Sequence, residues 1–163
     1  MNDAEFQESF ERTVVRRARD SVQRGIWIEE KAIEAARNEL ARFIPQGRES
    51  PNHHFEKVID ESSGTQVGEV WYFAGEEGGK VRFWVDWLWT DPQMRHRGYA
   101  TTVLQQLTEE AAKLGADRVG LYVFMDNLDA IALYSKLGFT ATVMGMTKPV
   151  AARPPNPVNE PED

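Results

Sequence analysis

The sequence predicts an α/β fold: a mixed, mainly antiparallel central sheet flanked by helices, entered through a helical N-terminal segment. Three observations carry this expectation. Apolar residues recur at helical spacing over residues 1–50. The pattern then changes to β-rich runs over 53–91. From Gly98 onward, helical and strand patterns alternate. A chain of 163 residues with 41% apolar content suits one core-forming domain, expected over 1–148.

The elements follow in order. Phe6, Phe10, Val14, Ala18 and Val22 recur every four positions and mark one face of a first helix. Ile33, Ala36, Leu40 and Phe43/Ile44 mark a second, which Pro45 and Gly47 end. Arg12, Arg16, Arg17, Arg19 and Arg24 read as the solvated face of the first helix. HFEKVID, QVGEVWYFA and VRFWVDWLW form an antiparallel meander, with Gly75, Gly78 and Gly79 in a mobile hairpin loop. YATTVLQQLTEEAAKLG is a helix that turns Val103, Leu104, Leu107, Ala111 and Leu114 inward and stops at Gly115. RVGLYVF reads as a strand, NLDAIALYSKLG as a helix closed by Gly138, and FTATVMGM as a last strand. Five of the eight prolines fall after Lys148, so 149–163 is expected to be a disordered tail.

Composition narrows the chemistry. Nineteen Lys and Arg against 26 Asp and Glu leave a formal charge of −7, which argues against a general nucleic-acid or anionic-membrane binder. With no cysteine there is no disulfide, no thiolate zinc site and no thiol nucleophile. The charged N-terminus is no signal peptide and no apolar run approaches membrane-spanning length, so a cytoplasmic protein is expected.

Two short segments gather the functional residue types. In Thr90-Asp-Pro-Gln-Met-Arg95-His96-Arg97-Gly98-Tyr99-Ala100-Thr101, a strand turns into a helix. A helix start presents unpaired N–H groups and partial positive charge, which suits a phosphate. Gly98 lets the backbone approach an anion, Ala100 does not block it, and Arg95 and Arg97 add charge. Taken alone, the segment also reads as an ordinary turn with exposed arginines. The second segment runs from Asn127 to Phe139. Seven residues separate Asn127 from Tyr134, two helical turns or about 10 Å along one face. They could line one elongated ligand, or be a helix cap and a half-buried phenol.

Together, in this order and spacing, the two segments resemble the GNAT superfamily of acetyl-CoA-dependent N-acetyltransferases. There, [QR]-x-x-G-x-[GA] is followed some thirty residues later by N-x-x-A-x-x-L-Y-x-[KR]-x-G-F, seen here as NLDAIALYSKLGF. The resemblance covers about residues 55–147 and implies the GNAT form of the mixed sheet. It implies that Leu88, Trp89 and Thr90 pair with the pantetheine arm of acetyl-CoA. Amides from His96 through Tyr99 to Thr101 would hold the diphosphate, with Arg95 and Arg97 beside them. Asn127 would hydrogen-bond the pantetheine, and Tyr134 would bind there and protonate the departing thiolate. Acetyl transfer by direct attack of an amine needs no metal.

Departures from the family pattern leave the general base open. His96 stands where glycine is usual, and Tyr122 where some members carry a catalytic Glu. Asp86 is favoured as base; Glu69, His53 and His54 are alternatives. Strict alternation puts Trp87 and Trp89 on one face and Asp86 and Leu88 on the other, unless a bulge breaks it. Expected partners are acetyl-CoA and an amine, small or on a peptide, with no nucleic acid or membrane; a homodimer is allowed. The competing class is a non-catalytic acyl-CoA-binding module.

Overall fold

The computed structural model describes residues 1–148. The proline-rich segment expected to be a disordered tail lies outside them.

Helix α1 spans Asp3–Gln23 and opens on a capping box: Asn2 Oδ1 accepts from Glu5 N at 2.9 Å, and Glu5 accepts from Asn2 N at 2.8 Å. Helix α2 spans Glu29–Phe43. Of the apolar residues expected inside, Phe6, Val14, Ala18, Ala36 and Ile44 are buried. Ile33 and Phe43 are exposed, because the small side chains Ala32 and Ala36 carry the contact with α1 and let the helices approach closely.

Four strands follow: β1 His53–Ile59, β2 Gln66–Glu77, β3 Lys80–Thr90 and β4 Val119–Leu121, in the sheet order β1-β2-β3-β4. The first three form the antiparallel meander, and β4 runs parallel to β3 after a crossover through α3, Tyr99–Lys113. Helix α4 spans Leu128–Lys136. The β2–β3 connection is a two-residue turn, not the longer loop expected. Gly78 and Gly79 both take positive φ, +62° and +78°, as a tight hairpin of this hand requires. Gly75 sits within β2, paired with Arg82.

Each face of the sheet is covered. On one, Val70, Tyr72, Phe83 and Val85 pack against Val103, Leu104, Leu107 and Ala111 of α3, with Leu88, Leu133 and Tyr134 at the margin. Leu114, expected inside, is exposed at the end of the helix. On the other face, Phe55 and Trp71 pack against Phe6 and Ile44, with Phe10 and Trp87 beside them. A large side chain fully buried in this way contributes about 1.5–3 kcal/mol.

The predicted last strand does not form. Phe139 packs against the α3 layer, but Val143, Met144 and Met146 are exposed and carry no ladder bonds. Only three residues of the expected strand 118–124 pair, so β4 offers almost no edge to extend. No described helix is long and apolar enough to cross a membrane.

Candidate functional site

The sheet splits at one place. The parallel pairing of β3 with β4 runs Phe83↔Val119, Trp84↔Gly120 and Val85↔Leu121, and ends there. At the same level β3 bulges: Trp71 pairs with Trp87 and Tyr72 with Val85, so Asp86 has no partner residue on β2. Beyond the bulge, Trp87 to Thr90 stay bonded to β2 while no described strand pairs with their other edge. Backbone N–H and C=O groups on that edge are available to an extended ligand arm. Tyr122, 82% exposed, leaves the sheet at the split and packs its ring 4.8 Å from that of Trp84.

The bulge also corrects the facing expected from strict alternation. Asp86 does not share a face with Leu88, which packs in the α3 layer. Its carboxylate lies on the α1 side, 3.6 Å from Nδ1 of His53, a neighbour of Phe55 and Phe73. Burial pushes the Asp86 carboxyl up to about 6, against a smaller opposing effect of Arg82. Burial also lowers the His53 imidazole, and His54 and Arg82 add to that. His54 lies on the opposite face, stacked 4.7 Å from Tyr72. Glu69 is only 2% exposed and is bound by Arg12 Nη2 at 2.9 Å, so its carboxylate is already engaged.

Past the end of β3 the chain makes a 3-10 turn, Pro92–Met94, capped by Asp91, whose Oδ1 accepts from Gln93 N at 2.8 Å. His96 then takes φ +59°, the left-handed conformation that a glycine adopts readily, and Gly98 takes φ +88°. The position where the resemblance expects glycine therefore holds a residue in the left-handed conformation. Left-handed residues beside a helix start turn successive N–H groups toward one side, an arrangement that suits phosphate oxygens. Helix α3 begins at Tyr99, and its first intrahelical donor is Thr102, bonded to Gly98 O at 3.0 Å. The N–H groups of Tyr99, Ala100 and Thr101 remain available. A Cβ on Gly98 would meet nothing within 4 Å, so the loop mouth is open. Arg95 and Arg97 are exposed around it, their nearest bonds being long ones to Thr90 O and Gln93 O. Tyr99 OH donates to Asp60 Oδ2 at 2.7 Å, anchoring the helix start to the β1–β2 turn.

Asn127 caps α4, accepting from Ala130 N at 3.3 Å through Oδ1, which leaves its amide N–H₂ free to donate outward. Two turns on, Tyr134 is half-buried against the α3 layer, near Phe139. Burial raises its phenol, so it stays protonated at neutral pH. Acetyl-CoA fits what these residues offer: a free strand edge, a cluster of unpaired N–H groups and an amide donor. A depression of about 340 Å³ reaches Trp89 from the α1 side, and another of about 320 Å³ lies by Gly79 and Gly115; neither includes Asp86 or Tyr134.

One component of the site is not visible in the sequence. The arginines of α1 are not a simple solvated face. Arg17 makes a two-pronged bond to Glu39 of α2, at 2.9 and 2.8 Å. Arg24 pairs with Asp126 at 2.9 Å and lies over Phe124. Arg16 lies over Trp87 and Trp89. The four-residue spacing of Arg12 and Arg16 is visible in the sequence, but their targets on β2 and β3 are not.

Comparison with known proteins gives a consistent answer. The family model described as "Acetyltransferase (GNAT) family" matches residues 16–139. The chain is 31% identical to "Uncharacterized N-acetyltransferase YdgE" of Bacillus subtilis, over 91% of this chain and 94% of that protein. It is 28% identical to "Uncharacterized N-acetyltransferase YycN" of the same organism, with the same coverage. A crystal structure of YycN superposes with a TM-score of 0.85 at 27% identity, covering 93% of this chain and 96% of the other. An aminoglycoside acetyltransferase from an uncultured soil metagenomic sample shares the fold, with a TM-score of 0.58 and 21% identity over 92% and 93% of the two chains.

Proposed function

The chain belongs to the acetyltransferase (GNAT) family, and we propose that it transfers an acetyl group from acetyl-CoA directly to a primary amine. The observation that carries this reading is the coincidence of two events at one level of the sheet. Pairing with β4 stops after Val85, and the next residue, Asp86, is the bulge. A free strand edge and a carboxyl of raised proton affinity are thereby brought to the same opening.

Acetyl-CoA supplies the activated acyl group as a thioester. Leu88, Trp89 and Thr90 would hold its pantetheine arm along the free edge of β3, assisted by the Asn127 amide. N–H groups from His96 to Thr101 would hold its diphosphate, with Arg95 and Arg97 adding charge. Asp86, ionised above about pH 6, accepts the proton that the amine nitrogen loses as its bond to the acetyl carbon forms. Tyr134 gives its phenolic proton to the thiolate as the carbon–sulfur bond breaks. Backbone N–H groups at the split stabilise the negative charge that develops on the carbonyl oxygen. Holding both partners at the split supplies much of the rate through orientation alone.

A second reading, a non-catalytic acyl-CoA-binding module, is favoured by one feature: Tyr122 stands where some family members carry a catalytic Glu. A screen of amines and peptides for CoA thiol release, with acetyl-CoA as donor, separates the two. Release that depends on Asp86 and Tyr134 supports transfer. Tight acetyl-CoA binding with no release across the panel supports the module.

A further inference from the structure

Arg16 differs from its neighbours on α1. Arg12, Arg17 and Arg24 each reach a carboxylate on another element: Glu69, Glu39 and Asp126. Arg16 has neither an ion pair nor a hydrogen bond among the described residues. Its guanidinium lies 4.7 Å from the Trp89 ring centre and 5.8 Å from that of Trp87, and the side chain is half-buried. Burial lowers its proton affinity, and Arg19 and Arg95 add like charge. Of the nearby carboxylates, Glu69 is held by Arg12 and Asp20 lies 4.0 Å from Arg19. The indole Nε1 atoms of Trp87 and Trp89 are also buried without a protein acceptor. Donors therefore gather at this place without a matching acceptor, which is an incomplete arrangement for buried polar groups.

The position gives this patch a role. Tyr134 and Leu88 belong to the layer of α3 and α4, whereas Trp87 lies in the layer of α1. A cofactor held by the α3 start, Asn127 and Tyr134 would leave the α1 side of the split to the acceptor. Trp87 is one residue from Asp86 and Trp89 three, so the platform extends roughly 3–10 Å along the strand from the base. Packing over two rings holds the guanidinium in place, and a guanidinium so held can receive a carboxylate through two parallel bonds.

We propose that the acceptor is an amine bearing a carboxylate a few bonds from its nitrogen, such as an ω-amino acid or a short peptide with a free C-terminus, and that Arg16 on its tryptophan platform receives that carboxylate. The inference rests on the acetyl-transfer reading and names its substrate class. It runs against the chain's net charge of −7, which on its own would favour polyamines. At the split the near charges decide, since those beyond about 8–10 Å are screened.

The test uses ω-amino acids and dipeptides paired with their carboxamides, on wild type, Arg16→Gln and Arg16→Lys. Two readouts are taken: CoA thiol release, and quenching of tryptophan fluorescence by each amine with CoA present. Acetyl-CoA affinity of each variant controls for folding. Carboxylate members should exceed their amides by about tenfold or more in kcat/KM, and should alone quench. Arg16→Gln should erase the preference, and Arg16→Lys should keep part of it. Equal use of both members, a preference that survives Arg16→Gln, or neither release nor quenching with any carboxylate would overturn the proposal. Release with amides alone would overturn it while leaving acetyl transfer intact. Carboxylate quenching lost in Arg16→Gln, without CoA release, would support the Arg16 site and overturn the catalytic reading instead.

Discussion

His53 Nδ1 reaches to 3.6 Å from Asp86 Oδ2 across the full width of β2, from β1 to β3. The separation is too long for a hydrogen bond, and burial disfavours the charged form of both groups. The arrangement keeps Asp86 free of a strong partner, and so keeps its proton affinity near the working range of an acid–base group.

With an acceptor whose own ionisation has been corrected for, kcat/KM should rise with pH through about 6 as Asp86 loses its proton. Asp86→Asn should lower kcat by about 10²-fold or more and remove this limb. A limb that persists in Asp86→Asn would assign the base elsewhere.

The same carboxyl should weaken the fold. Its folded-state pKa is raised from 3.8 to about 6. The stability contributed by the neutral carboxyl is therefore fully present below about pH 4 and lost as the pH rises through about 6. Asp86→Asn should stabilise the protein at pH 8 by up to about 3 kcal/mol and by nearly nothing at pH 4. Urea denaturation at the two pH values measures the difference; equal effects at both would remove the linkage.

Tyr134→Phe should preserve ring packing in the α3 layer and delete only the hydroxyl. Acetyl-CoA affinity should change little, while kcat falls by about 10²-fold or more with a competent amine. The loss should appear in kcat rather than KM, because the proton is needed as charge develops on sulfur. Unchanged kcat, with chemistry shown to limit the rate, would refute the acid role.

Gly98→Val should oppose both the fold and the ligand. At φ +88° a branched residue is strained by about 1–2 kcal/mol even though no protein atom lies within 4 Å of the new Cβ. Its side chain would also occupy the open mouth of the loop. Calorimetric titration should show acetyl-CoA binding abolished or reduced by an order of magnitude or more. Tight binding would sink the assignment of the loop.

Arg12→Ala should cost about 3 kcal/mol, because it strands the Glu69 carboxylate inside the sheet–helix interface. Arg12→Ala combined with Glu69→Gln should recover much of the loss. A double variant no more stable than the single one, by chemical denaturation, would show that the pair is not coupled.

Much of the fold was legible because it is written in local patterns. The four-residue recurrence from Phe6 to Val22, the β-rich runs from His53 to Thr90 and the Gly115 and Gly138 stops all express backbone geometry within a turn or two. Local rules failed where partners decide. FTATVMGM has strand composition but pairs with no described strand. Ile33 lost its place in the core to Ala32, because closeness to α1 outweighed side-chain size.

The candidate site divides along the same line. The sequence by itself determined the two helix starts proposed to face the ligand, from Arg95 to Thr101 and from Asn127 to Tyr134, because helix starts and two-turn spacings are set by neighbours in the chain. Only the tertiary structure decided that Asp86 turns toward His53, that Glu69 is consumed by Arg12, and that Arg16 rests on Trp87 and Trp89. Each of these depends on register between segments dozens of residues apart, and a one-residue bulge is enough to change the face a side chain occupies.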